Sequence, residues 1–204
     1  MTNAYKEGDR ADKVEEAVSS SGGSIGTDCN MARKYVADIQ GKNTAQLLAM
    51  LQAIFNGTPI RGWPPGIAFE HIVIRAFEIE GATVQWSFVV RQGSKIIEQI
   101  DGLACLVESK DYSAPINIEP IAKLKNQLSR RPVGTLGLVF ARQGFTDPAK
   151  ILARMMQPLN ILLWEYEELE LSLSTGTMCR ALTTKFKFAV ELGAPDYNIR
   201  IGLR

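Results

Sequence analysis

The sequence has very little of the residue types on which histidine and cysteine chemistry depends. Among its 204 residues there are one histidine and three cysteines. A single histidine excludes a multi-histidine zinc site. The cysteines (Cys29, Cys105, Cys179) are too few and too scattered along the chain for a disulfide scaffold or a cysteine-rich zinc site. The composition therefore argues against a zinc site built from histidines or cysteines.

Long apolar runs and phosphate-binding glycine loops are also missing. No apolar run approaches the ~20 residues that span a bilayer, and the first residues lack the charged-then-apolar layout of a secretory signal. Neither a G-x-x-x-x-G-K-[ST] loop nor a G-x-G-x-x-G loop occurs, which argues against nucleotide hydrolysis and dinucleotide chemistry. Hydrophobic content of 46% and charged content of 22% are ordinary for a folded domain. We expect a cytoplasmic protein with no membrane partner.

The most informative segment that is present ends a predicted strand with charge. An apolar run from Leu103 to Val107 leads directly into Glu108-Ser109-Lys110. Residues i and i+2 of a strand lie on one face with Cα atoms about 6.6 Å apart, so Glu108 and Lys110 should project side by side. Another acid, Asp101, precedes Glu108 by seven residues. Two carboxylates beside a lysine suit metal-assisted phosphodiester hydrolysis, since carboxylates hold Mg²⁺ and lysine orients the attacking water.

The separation of these acids requires a turn in the chain. Seven is an odd number, and side chains of a strand alternate between faces, so Asp101 and Glu108 cannot share a face of one uninterrupted strand. Gly102 is the residue best suited to a turn or bulge between them.

The elements predicted around this motif form an ordered series. A helix from Phe69 to Glu80 carries Glu70 in its first turn and ends at Gly81, and it is followed by three predicted strands. The strands are Thr83–Arg91, Lys95–Asp101 and Leu103–Lys110, followed by a helix over Pro120–Arg131, a buried strand over Leu136–Ala141, a helix capped by Thr146 or Asp147, and a closing strand over Asn160–Glu165.

This order of motifs resembles the PD-(D/E)xK nuclease superfamily, and within it the Mrr-like restriction endonucleases. The resemblance implies an α/β fold with a restriction-endonuclease-like core, in which helices flank a mixed central sheet. It also implies a Mg²⁺-dependent DNA endonuclease, with Mn²⁺ as a substitute metal. Asp101 and Glu108 would hold the metal, the backbone carbonyl of Ser109 and the helix residue Glu70 would assist, and Lys110 would be catalytic. Glu70 is explained almost equally well as an acid favoured by the helix dipole.

A basic tract follows the motif and suggests contacts with DNA. No acid occurs between Pro120 and Thr146, and Lys and Arg contacts to phosphates supply most sequence-independent affinity for DNA. A solvated helix face is the alternative explanation of this tract. The candidate DNA-binding residues are Lys123, Lys125, Arg130, Arg131, Arg142, Gln127 and Gln143.

Three segments are predicted along the chain. Residues 1–65 form an N-terminal helical extension, with helices over Asp9–Ser20, from Thr27 or Asp28 to about Gln40, and from Asn43 or Thr44 onward. Residues 66–171 form the nuclease-like core. Residues 172–204 form a C-terminal β extension, because Thr183–Glu191 and Tyr197–Leu203 have strand-like patterns. His71 is interpreted as a structural residue.

Two other interpretations remain open. The short Asp101–Glu108 spacing also suits a catalytically inactive, nuclease-like module that binds DNA or regulates another protein. A purely structural or assembly role is the third interpretation. Cleavage of both DNA strands would favour a homodimer.

Overall fold

The computed structural model describes residues 25–64, 66–84, 88–92, 95–100, 106–110, 113–132 and 134–203. The chain divides into two units, Met1–Ala37 and Asp38–Arg204. Residues 25–37 of the first unit are described, and they are helical. Among the described helices, none combines the length and the apolar character that a bilayer-spanning helix requires.

Seven α-helices, five strands and a terminal 3₁₀ segment make up the described part of the chain. In chain order they are α1 (Ile25–Gln40), α2 (Thr44–Phe55), α3 (Ile67–Ile79), β1 (Phe88–Gln92), β2 (Lys95–Ile100), β3 (Leu106–Lys110), α4 (Ile118–Leu128), β4 (Gly137–Ala141), α5 (Asp147–Met155), β5 (Ile161–Glu165), α6 (Tyr166–Thr175), α7 (Met178–Leu192) and the 3₁₀ segment Ile199–Leu203.

Two patterns of strand pairing occur. β1 and β2 form an antiparallel hairpin with a register shift between Val90 and Arg91. β3, β4 and β5 form a parallel sheet in that order. Parallel strands need crossover connections, and α4 and α5 supply them here. The carboxyl ends of β3, β4 and β5 therefore lie at one edge of the sheet.

β4 and β5 are buried on both faces, as their apolar sequences predict. Alternate residues of β4 and β5 enter two separate hydrophobic clusters. Leu138, Phe140, Leu162 and Trp164 pack with residues of α2, α3, α6 and α7 in a cluster that we call the first core. Val139, Ala141, Ile161 and Leu163 pack with residues of α4 and α5 in the second core.

For most elements between residues 44 and 165, the observed bounds agree with the predicted ones to within a few residues. The predicted cap of α2 is Asn43, whose side chain accepts a hydrogen bond from Gln46 N at 3.0 Å. Thr146 caps α5 as predicted. α4 begins at Ile118, earlier than Pro120, because Asn117 accepts a hydrogen bond from Glu119 N at 3.1 Å. The helix predicted over Asp9–Ser20 lies outside the described residues.

The prediction of a C-terminal β extension over residues 172–204 is wrong. Residues 178–192 form α7 and residues 199–203 form a 3₁₀ segment. The apolar alternation of Phe186, Phe188 and Val190 indicated a strand, but Phe186 and Val190 are exposed. The residues of α7 that are buried follow a helical spacing instead: Met178, Ala181, Lys185 and Ala189. A buried lysine in this stripe concealed the helical pattern.

Candidate active site

The predicted triplet Glu108-Ser109-Lys110 occupies the last three positions of β3. Glu108 pairs in register with Val139 of β4, and Lys110 pairs with Ala141, the last residue of that strand. In open sheets of parallel strands, ligands bind outside the carboxyl ends of the strands. The fold thus brings this charged triplet to the edge of the sheet where such sites are found.

The other predicted metal ligands differ in what the structure describes. Asp101 follows the last residue of β2, Ile100, and lies outside the described residues together with Gly102. Glu70 lies in the first turn of α3 and is half-buried. The same helix contributes Phe69 and Ile72 to the first core. The roles of Asp101 and Glu70 as ligands stay predictions.

His71 has the surroundings of a structural residue. It is buried in α3, its Nδ1 lies 2.9 Å from the carbonyl oxygen of Ile67, and its ring meets the Trp63 ring edge-on at 5.3 Å. Burial lowers the pKa of His71, and the hydrogen bond to Ile67 opposes that shift. Burial therefore favours the neutral form of this imidazole.

The predicted DNA-binding residues do not form one uniform surface. Lys123, Arg130 and Gln143 are exposed, whereas Gln127 is buried. The remaining three are partly buried: Lys125 donates to the carbonyl of Pro158 at 2.9 Å and to Asn160 Oδ1 at 3.2 Å, Arg131 donates to the carbonyl of Arg130 at 3.4 Å, and Arg142 donates to the carbonyl of Phe55 at 3.3 Å.

One charged pair at this edge was missed from the sequence. Glu165 is the last residue of β5, and its Oε1 accepts a hydrogen bond from Lys150 Nζ of α5 at 2.9 Å. Register places Glu165 in one row with Ala141 and Lys110. A signal existed in the sequence, because Glu165 ends a predicted strand with an acid, as Glu108 nearly does. The pairing with Lys150, fifteen residues away in the sequence, could not be predicted from any local pattern.

A family model described as restriction endonuclease (Mrr_cat) matches residues 65–173, more than half of the 204 residues. This chain belongs to that restriction endonuclease family. The match starts just before α3 and ends within α6, so it includes Glu70, the triplet of β3 and Glu165. It confirms the family that the sequence motifs resemble.

One solved structure is similar to this chain. It is that of the "DNA modification-dependent restriction endonuclease AspBHI". The two are 13% identical, and the match covers 71% of this chain and 40% of that chain with a TM-score of 0.40. No curated protein matches the sequence.

A buried ion pair beside β5 is not explained by the motifs of the family. Lys185 and Glu168 are 0% and 1% exposed, with Nζ and Oε1 2.6 Å apart. Lys185 also donates to the carbonyls of Leu163 and Tyr197, each at 2.6 Å. Burial lowers the pKa of Lys185, and Glu168 opposes that shift. Three acceptors match the three N–H groups of an ammonium, so the pair joins β5, α6, α7 and Tyr197.

The described residues contain no cluster of three His, Cys, Asp or Glu side chains that could hold a metal ion. Asp101 and the side chain of Glu108, the two acids on which the predicted site depends, lie outside the described part of the chain. The donor set predicted for the site consists of carboxylate and carbonyl oxygens, which are the ligands of a hard cation such as Mg²⁺. The chemistry of these residues therefore fits the metal that the family resemblance implies.

Proposed function

We propose that this chain is a Mg²⁺-dependent DNA endonuclease that hydrolyses phosphodiester bonds, with Mn²⁺ able to replace Mg²⁺. Two observations support the proposal. The restriction endonuclease family model matches residues 65–173, and Glu108-Ser109-Lys110 ends a parallel strand at the edge of the sheet where ligands bind. The second observation carries most of the weight, since it concerns the residues that would perform the reaction.

Asp101 and Glu108 would hold the metal with their carboxylates, and the carbonyl of Ser109 and the carboxylate of Glu70 would complete the protein's share of the ligands. When bound, Mg²⁺ supplies positive charge that stabilises the phosphate and the leaving oxygen. Each oxygen ligand of Mg²⁺ lies about 2.1 Å from the ion, so the carboxyl oxygens must come within roughly 4–5 Å of one another.

Lys110 would position the attacking water. Nearby carboxylates stabilise the charged form of a lysine, so Lys110 acts as an ammonium that donates a hydrogen bond to the water. It then orients the water in line with the bond from phosphorus to the leaving oxygen. Lys110 and Glu108 occupy alternate positions of β3, which is the spacing that keeps two side chains on one face.

Plasmid nicking tests this assignment. Wild-type protein incubated with supercoiled plasmid and Mg²⁺ should produce open circles, and Lys110→Ala should reduce the rate by roughly 100-fold or more, as for the loss of a group that acts in the transition state. Lys187→Ala is the matched control, because Lys187 is an exposed lysine on α7. Equal nicking by wild type and Lys110→Ala would reject the proposed role.

A nuclease-like module without catalytic activity is the second candidate, and the seven-residue separation of Asp101 and Glu108 favours it. Titration calorimetry with Mg²⁺ or Mn²⁺ separates the two candidates. In an active site, metal binding is present in the wild type and lost in Asp101→Asn and Glu108→Gln. An inactive module shows no such binding.

DNA is the proposed partner in both cases. The exposed side chains of Lys123, Arg130 and Gln143 support contacts with its backbone. Cleavage of both strands would favour a homodimer, since its two symmetry-related sites could each act on one strand of the duplex.

A further inference from the structure

The Lys150–Glu165 pair lies at the same edge of the sheet as the proposed catalytic triplet. Positions 110, 141 and 165 form one row across β3, β4 and β5. Adjacent strands are about 4.8 Å apart, so the backbone at Glu165 is about 10 Å from the backbone at Lys110. At this distance, residues 110 and 165 are too far apart to ligate one metal ion. The distance suits a contact of residue 165 or its partner elsewhere on the same DNA strand.

Described contacts also connect this pair with the loop that follows β3. The amide of Ile116 in that loop donates to the carbonyl of Gly144 at 2.9 Å, and Ile116 forms a parallel bridge with Phe145. A Cβ at Gly144 would lie 3.6 Å from Oε1 of Glu165. The loops after β3 and β4 are therefore in contact, and the carboxylate of Glu165 lies close to the second of them at one end of the sheet.

In exposure this pair lies, with Lys42–Asp38 and Arg75–Glu78, between the buried and the most solvated ion pairs of the described residues. Its position at the carboxyl end of β5 is what sets it apart. Lys185–Glu168 is a buried structural pair, with 0% and 1% of its side chains exposed. Lys187–Glu191 is a solvated surface pair 4.0 Å apart, with 65% and 56% exposed. Lys150 and Glu165 lie between these extremes at 32% and 27%, with a short contact of 2.9 Å. The Lys150 side chain is thus hydrogen-bonded to Glu165 and remains partly accessible from solvent.

We propose that Lys150 is a positioning residue that binds a backbone phosphate of the DNA, and that Glu165 holds the lysine in place. The inference rests on the proposed function, since it assigns Lys150 to the substrate of that site. An ammonium has three donors, so Lys150 can retain Glu165 and still donate to a phosphate oxygen. A lysine contacts phosphate as a point charge and reads no sequence.

Binding without cleavage tests the proposal. Fluorescence anisotropy with a labelled 20-base-pair duplex, in EDTA and 50 mM salt, measures sequence-independent affinity for DNA. Lys150→Gln should weaken binding by roughly three- to tenfold and reduce the slope of log K against log salt concentration by about 0.9. Lys150→Arg should restore most of both quantities. Lys187→Gln, with the same change of charge on α7, should leave them near the wild-type values.

Glu165→Gln separates a DNA contact from a structural ion pair. The amide oxygen of Gln can still accept the hydrogen bond that holds Lys150, while the negative charge that repels phosphate is removed. The affinity for DNA should therefore stay equal or increase, opposite to Lys150→Gln. A purely structural pair would make both variants weaker to a similar extent, with matching losses of melting temperature. Such matching losses would overturn the inference. It would also be overturned if Lys150→Gln bound DNA as tightly as the wild type, or if the wild type did not bind the duplex.

Failure of this inference is distinguishable from failure of the proposed function. Anisotropy in EDTA requires no catalysis, so a protein that binds DNA through Lys150 but never nicks plasmid refutes the nuclease alone. Nicking that depends on Lys110, together with wild-type binding by Lys150→Gln, refutes the inference alone.

Discussion

At the scale of single residues, burial decides which charged and polar groups belong to the framework. Lys185 and Glu168 are fully buried, and the hydrogen bonds of Lys185 connect Tyr197 to β5. A buried pair of this kind is costly to break, since the remaining charge has no compensation. The pair at Lys150 and Glu165 uses the same residue types but remains partly exposed. Residue type alone does not separate a structural pair from one available to a substrate.

His71 gives the residue scale a prediction about pH. Burial lowers its pKa below the value of 6.5 that applies to the unfolded chain. The unfolded state therefore binds the proton more readily, so the stability contributed by neutral His71 is complete above pH 6.5 and is lost as pH falls through the folded-state pKa. Urea denaturation of wild type and His71→Phe at pH 8 and pH 5.5 measures this effect.

The wild type should lose more free energy of unfolding than His71→Phe between these two pH values. The phenylalanine variant keeps an aromatic ring beside Trp63 but has no proton to gain, so it controls for titration of the carboxylates. An equal loss in both proteins would contradict a lowered pKa of His71 in the folded state.

At the scale of elements, close packing of β4 on α4 gives a second prediction. A Cβ added at Gly137 would lie 2.9 Å from Leu124 Cδ2 and 2.9 Å from Leu128 Cδ1. Both leucines are buried in the second core, so they have little room to move. Gly137→Ala should therefore reduce the free energy of unfolding by about 1–3 kcal/mol, as overpacking of a core does.

A double-mutant cycle checks that the loss at Gly137 comes from this contact. Leu128→Ala removes one of the two crowded methyl groups, so its own cost and that of Gly137→Ala should sum to more than the cost of the double variant. Additive losses would point to a different origin, such as a change in β propensity.

The elements show where sequence patterns succeed and where they fail. Strand β4 was predicted almost to the residue because its apolar run is continuous and bounded by Gly134 and Gly144, and β3 was found because its charged end is unusual. α7 was missed because apolar residues at alternate positions, Phe186 and Val190 among them, gave the pattern of a strand although both are exposed. In addition, the buried position at 185 is occupied by a lysine. Pairing between Lys150 and Glu165 depends on the crossover of α5, which no local pattern specifies.

At the scale of the whole molecule, the final residues belong to the core that supports the candidate site. The carbonyl of Pro195 accepts a hydrogen bond from Leu163 N of β5 at 3.0 Å, and Ile199 N donates to Glu168 at 3.0 Å. Ile199 is also part of the first core, together with residues of α2, α3 and β5. The C-terminal residues therefore complete the hydrogen bonding of β5, the strand that carries Glu165.

Deletion of residues 193–204 should consequently unfold more than the C-terminus. The truncated chain loses two hydrogen-bond partners of the Lys185–Glu168 pair, the acceptor for Leu163 N and the buried side chain of Ile199. Breaking a buried ionic network costs about 3–5 kcal/mol, which is a large part of the 5–15 kcal/mol that stabilises a typical domain. Calorimetry should show a melting temperature lower by roughly 10 °C or more. Ile201→Ser is the control, because Ile201 is 67% exposed and its substitution should leave the melting temperature within about 2 °C. A truncated chain that melts with the wild type would show that β5 and the buried pair are stable without the residues that contact them here.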